Sequence, residues 1–180
     1  MQVTDKLEVI INDDRWQKEV KSAVKISEDV FRSAVSYLRE HNELDFLPEN
    51  MPISINLCLS NDEEVHKLNF AFRKKDKATN VLSFANIDDN NFLQNLQNFE
   101  VAGLGDIIIA IETMKREAEI ENISFNDHYA HLLVHGILHL CGFDHIEDDE
   151  AEYMEDYEVR ILKNLGVENP YENRDNPTNK

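Results

Sequence analysis

His135-Gly136-Ile137-Leu138-His139-Leu140-Cys141-Gly142-Phe143-Asp144-His145 sets three imidazoles within one helical turn and one chain reversal of each other. On a helix of about 3.6 residues per turn, His135 and His139 share a face about 6 Å apart along the axis, so both rings can reach one metal ion. Gly142 can take the left-handed conformation that closes a helix. The chain then turns back and brings His145 in from the side. Three neutral nitrogens suit zinc and leave a fourth position for water, the feature that separates a catalytic site from a structural one. One zinc per chain on His135, His139 and His145 is the expectation.

The spacing reproduces the H-x-x-x-H-x-x-G-x-x-H layout of the metzincin peptidases. Those enzymes carry a glutamate general base directly after the first histidine, where this chain has Gly136. A peptidase reading therefore lacks its proton acceptor. His131 continues an i, i+4, i+8 stripe, but His131 and His139 would stand about 12 Å apart along the axis, too far for one ion. His131 is read as a core or cleft histidine or a group lining the site, and His128 as a surface residue near the helix start. Asp144 is either an orienting or proton-accepting carboxylate or a turn aspartate. Cys141, two residues after His139, points away from the ligands and is read as a buried small hydrophobe.

The 180-residue chain carries 42% hydrophobic residues, enough for one core of ordinary size. Residues 1–166 are expected to form a single domain and 167–180 a disordered C-terminal tail. No run of eighteen apolar residues and no basic start followed by an apolar stretch occurs, so a soluble, cytoplasmic protein is expected. The two cysteines, Cys58 and Cys141, make no disulfide framework. A net charge of −18 excludes a protein that holds nucleic acid by its general field. Any RNA contact must be local. Arg73, Lys74, Lys75 and Lys77 are such a locality; alone they read as a solvated basic loop, and beside a three-histidine site as phosphate contacts.

Leu7–Ile11 reads as a strand, followed by a helical stretch from Trp16 to about residue 41 that Ser27-Glu28-Asp29 can divide in two. Ile53, Ile55, Leu57 and Leu59 alternate with polar residues as a half-buried strand. Ser60 with Glu63 makes a capping box for a helix through about Phe72. Val81–Phe84 and Asp106–Ala110 are short strands. The Asn-rich stretch from Ala85 to Gly103 between them is expected to be a mobile insertion. Helices follow over 112–121, from the Ser124 cap to Cys141, and over 148–164. This irregular order predicts an α+β domain, with helices packed on a small mixed β-sheet.

The block over residues 135–145 resembles the H-G-x-L-H-L-x-G-F-D-H signature of the YbeY-type endoribonucleases, a bacterial family of ribosomal RNA maturation factors. Residues 68–84, from Leu68-Asn69 through Arg73 and Asp76 to Thr79-Asn80-Val81-Leu82-Ser83-Phe84, resemble that family's L-N-x-x-x-R-x-x-D-x-P-T-D-V-L-S-F block, and Gly105-Asp106-Ile107 its G-D-I. The likeness runs from about residue 50 to 166, with Ala78 and Asn80 replacing the family's usual proline and aspartate. The resemblance implies a zincin-like fold, zinc on His135, His139 and His145, and Arg73 as a catalytic residue. It also implies single-strand-specific cleavage of ribosomal RNA in 16S rRNA 3′-end maturation, with ribosome-associated proteins as partners. The rival readings are a metallopeptidase-like hydrolase and a non-catalytic ribosome assembly protein with a structural metal.

Overall fold

A computed structural model describes residues 4–172. The strand β1 (Lys6–Ile11) is followed by helices α1 (Arg15–Glu19) and α2 (Ala23–Glu40), strand β2 (Ile53–Ser60) and helix α3 (Asp62–Arg73). Strand β3 (Val81–Ala85), helix α4 (Asn90–Asn95) and strand β4 (Ala102–Ala110) come next. Three helices complete the described chain: α5 (Ile111–Glu121), α6 (Phe125–Leu140) and α7 (Asp148–Asn164). The sheet order is β1-β2-β4-β3, with β1, β2 and β4 parallel and β3 antiparallel to β4. This is the α+β architecture with a small mixed sheet that the order of the elements predicts.

Register ties the sheet to the histidine helix. Val9, Leu57, Ile107 and Ser83 form one row across all four strands. Ile107 and Ser83 meet α6 at Gly136, where an added Cβ would come within 3.0 Å of Ile107 Cγ2 and 3.2 Å of Ser83 Oγ. The position after the first histidine is thus a point of close contact between helix and sheet. The α6 flanks, including Leu133, Val134, Ile137 and Leu138, are fully buried. Trp16 anchors α1 beneath the same core, donating its indole N–H to the Ser60 carbonyl at 2.8 Å and packing against Phe125 and Tyr129.

Several local expectations are corrected. The helical stretch after β1 breaks at Ser22, which is left-handed (φ 62°), rather than at Ser27. Ser27 lies inside α2, where its buried hydroxyl bonds the Ala23 carbonyl at 2.6 Å and the Tyr129 hydroxyl at 2.5 Å. A serine with two such partners has no need to cap. Asn61 caps α3 in place of Ser60, accepting from the Glu64 amide at 3.0 Å. The stretch expected to be a mobile insertion holds α4 between two short 3-10 turns, with Leu96 buried in the core, and β4 begins earlier, at Ala102.

At the C-terminal end, Val167 packs against the core, with its amide bonded to the Leu162 carbonyl at 3.0 Å, and Tyr171 reaches His131. Residues 167–172 of the expected disordered tail therefore have defined positions. Residues 173–180 lie outside the described residues. Among the described residues no helix is long and apolar enough to cross a membrane.

Candidate metal centre

Helix α6 starts at Ser124, whose hydroxyl accepts from the Asp127 amide at 3.0 Å, and delivers His135 and His139 to its one face not covered by the core. It ends in a double reversal. The Gly142 amide bonds the His139 carbonyl and the Phe143 amide bonds the Leu138 carbonyl, both at 3.1 Å, while Gly142 sits at φ +94°. This is the Schellman arrangement, and a residue with a side chain would be strained at its left-handed position. The reversal carries His145 back over the two helical histidines. Its ring stacks on His135 with centroids 5.6 Å apart and lies 5.0 Å from His139.

One nitrogen from each of the three rings lies within 4.8 Å of the others. His139 donates Nδ1–H to the Phe143 carbonyl at 2.9 Å, because a carbonyl can only accept, so its Nε2 is bare. That bare atom faces His135 Nε2 at 3.0 Å. Burial, reinforced by His135 and His145, pushes the His139 imidazole down to about 4 and keeps it neutral at pH 7. Three imidazole nitrogens this close together, with His139 Nε2 bare, are a donor set that zinc accepts, so the residues fit the ion.

His135 Nδ1 lies 2.5 Å from Glu158 Oε1 on α7, and Glu158 Oε2 lies 3.2 Å from His131 Nε2. Burial alone would raise the Glu158 carboxyl, but hydrogen bonds with His131 and His135 hold it well below the usual range. Glu158 is the group that reading by motif misses. Its signal is its position with Met154 and Leu162 at helical spacing on the buried face of α7, an acid in an apolar stripe.

Arg73 closes the other wall. Its Nη2 donates to the Ser83 carbonyl at 3.0 Å, and its guanidinium carbon stands 5.8 Å from the Phe84 ring centre. A cleft of about 580 Å³ is lined by Arg73, Lys75, Asn80 and the three histidines. Lys75 alone of the three lysines in the basic run faces this cleft. Lys74 occupies the left-handed C-cap of α3 and its ammonium bonds the Ala71 carbonyl at 3.1 Å. Asn80 donates to Glu117 at 2.9 Å and accepts from the Val81 amide at 2.7 Å.

His128 is not a surface residue. It is buried and its Nε2 lies 2.8 Å from Glu117 Oε2, since α5 packs over the start of α6. Asp144 accepts from the His145 amide at 2.7 Å and lines the cleft beside the three histidines. Cys141 is buried and its thiol is pushed up to about 12 by desolvation, in keeping with an inert core residue.

The family described as Endoribonuclease YbeY matches residues 9–166. The chain is similar to the Endoribonuclease YbeY of Rhizobium leguminosarum bv. trifolii, with 43% identity over 170 residues covering 94% of both chains. It is 48% identical over 122 residues to that of Colwellia psychrerythraea, covering 68% of this chain and 74% of the relative. The solution structure of TM1509 from Thermotoga maritima has the same fold, with a TM-score of 0.51 at 21% identity, over 97% of this chain and 100% of that one.

Proposed function

The chain belongs to the Endoribonuclease YbeY family, and we propose that it is a zinc-dependent endoribonuclease that cuts single-stranded ribosomal RNA in 16S rRNA 3′-end maturation. The observation that carries this reading is the convergence of the three histidine nitrogens in a cleft whose wall holds Arg73 and Lys75. His135, His139 and His145 hold the metal. Zinc, when bound, supplies the Lewis acidity that polarises a phosphoryl oxygen and acidifies water. Arg73 is the catalytic residue outside the ligand set: its guanidinium, steadied by Ser83 and Phe84, presents its remaining donors to a phosphate as charge builds. Lys75 binds a neighbouring phosphate of the same strand.

Residues 1–166 act as one catalytic domain, working in the cytoplasm on ribosomal RNA with ribosome-associated proteins as partners. The acidic surface elsewhere restricts RNA to this cleft. A peptidase would need a proton acceptor beside His135, where Gly136 is pressed on the sheet. Zinc-loaded protein should cleave single-stranded ribosomal RNA, and the His135→Ala variant should not. Activity on a peptide panel with none on RNA would overturn the proposal.

A further inference from the structure

Among the described residues Glu158 is the one fully buried carboxylate. Its carboxylate meets two imidazoles and a phenol: His135 Nδ1 at 2.5 Å on one oxygen, and His131 Nε2 at 3.2 Å with the Tyr171 hydroxyl on the other. Taking a carboxylate out of water costs several kcal/mol. No lysine or arginine lies within ion-pair distance of it among the described residues. Tyr171 also comes within 3.1 Å of His131 Nε2, so the three groups close into one cluster behind the histidine that faces the cleft.

We propose that Glu158 is a positioning residue for the metal centre: it holds His135 by Nδ1 so that Nε2 faces the ion, while His131 and Tyr171 hold the carboxylate itself. The proposal rests on the zinc reading above. Histidine presents a lone pair on only one nitrogen when neutral, and the partner of the other nitrogen selects which. An acceptor-only carboxylate at Nδ1 makes that atom the proton bearer, as the Phe143 carbonyl does for His139. Both helical histidines are thereby locked in the same tautomer by partners of different origin, one from the turn after α6 and one from α7. The negative charge of Glu158 would also strengthen His135 as a donor and offset a divalent cation's charge across the ring. His131, too far along the helix to be a ligand, acquires a role as the strut behind one. Tyr171 lends the same support from beyond residue 166, where the family match ends.

The test uses the full chain. Zinc affinity is measured by chelator competition for the parent, Glu158→Gln and Tyr171→Phe, and nitrogen-15 histidine spectra of the metal-free proteins report which His135 nitrogen bears the proton. The parent should carry it on Nδ1. In Glu158→Gln, whose amide can also donate, the Nδ1 preference should be lost and zinc affinity should fall about 10- to 100-fold. Tyr171→Phe should keep the tautomer and lose a few-fold. Unchanged tautomer and affinity in Glu158→Gln, with only a lower melting temperature, would mean a merely structural carboxylate and overturn the proposal. Should Glu158→Gln fail to fold, Tyr171→Phe and His131→Gln decide, and parental zinc affinity in both overturns it. A parent that binds no zinc overturns the zinc reading itself and this proposal with it, whereas failure here with a zinc-binding parent leaves that reading standing.

Discussion

Gly136 of the histidine helix stands against Ile107 of β4 so closely that a methyl group on it would come within 3.0 Å of Ile107 Cγ2 and 3.1 Å of its Cδ1. The residue that follows the first ligand in zinc peptidases of this spacing is a glutamate; here that position faces the sheet and not the cleft. The contact decides both a packing question and a chemical one.

Gly136→Ala should destabilise the protein. Overpacking a core contact costs about 1–3 kcal/mol, against about 1 kcal/mol gained in helix propensity. Gly136→Glu should lose far more, since it adds a charge at the helix–sheet contact. Urea unfolding measures both. A Gly136→Ala protein as stable as the parent would show that α6 and β4 have slack at this point.

Zinc should bind at one ion per chain, and alanine at His135, His139 or His145 should abolish stoichiometric binding. Cys141→Ala should keep it, because that thiol is buried away from the ligand nitrogens. Elemental analysis after dialysis gives the ratio. Loss of metal from the Cys141 variant in a folded protein would replace one of the three ligands.

Arg73→Ala should leave zinc content and melting temperature near parental values while lowering RNA cleavage by about a hundredfold, the usual loss for one charge-stabilising donor. Its hydrogen bond to the Ser83 carbonyl lies at the surface, so folding depends little on it. Single-turnover cleavage at saturating RNA separates the chemical step from binding. Parental turnover in the variant would remove Arg73 from the mechanism.

Neutralising Lys74, Lys75 and Lys77 together should weaken RNA binding and flatten its salt dependence, with a smaller effect on the chemical step. Lys75 should account for most of the change, because it lines the cleft whereas Lys74 is engaged with the Ala71 carbonyl. Binding titrations at several salt concentrations, with Lys75→Ala beside the triple variant, test the ranking. A Lys75→Ala protein with parental affinity and salt slope would place the RNA backbone elsewhere.

The sequence by itself determined the parts that depend on local period and local turn chemistry. Helical spacing sets His135 and His139 on one face, and a glycine three residues later permits the reversal that returns His145. Strand alternation over Ile53–Leu59 and the acidic first turn of α7 were legible for the same reason, that their physics is contained within a few neighbouring residues. Tertiary packing decided what no local rule reaches. Docking of α7 on α6 brought Glu158 to His135 across 23 positions, and docking of α5 buried His128 against Glu117. The start of the expected disordered tail became the segment carrying Tyr171. A polar residue's surroundings follow from which helix lies over it, and that is settled only when the apolar faces of distant segments close on one another and leave water no place between them.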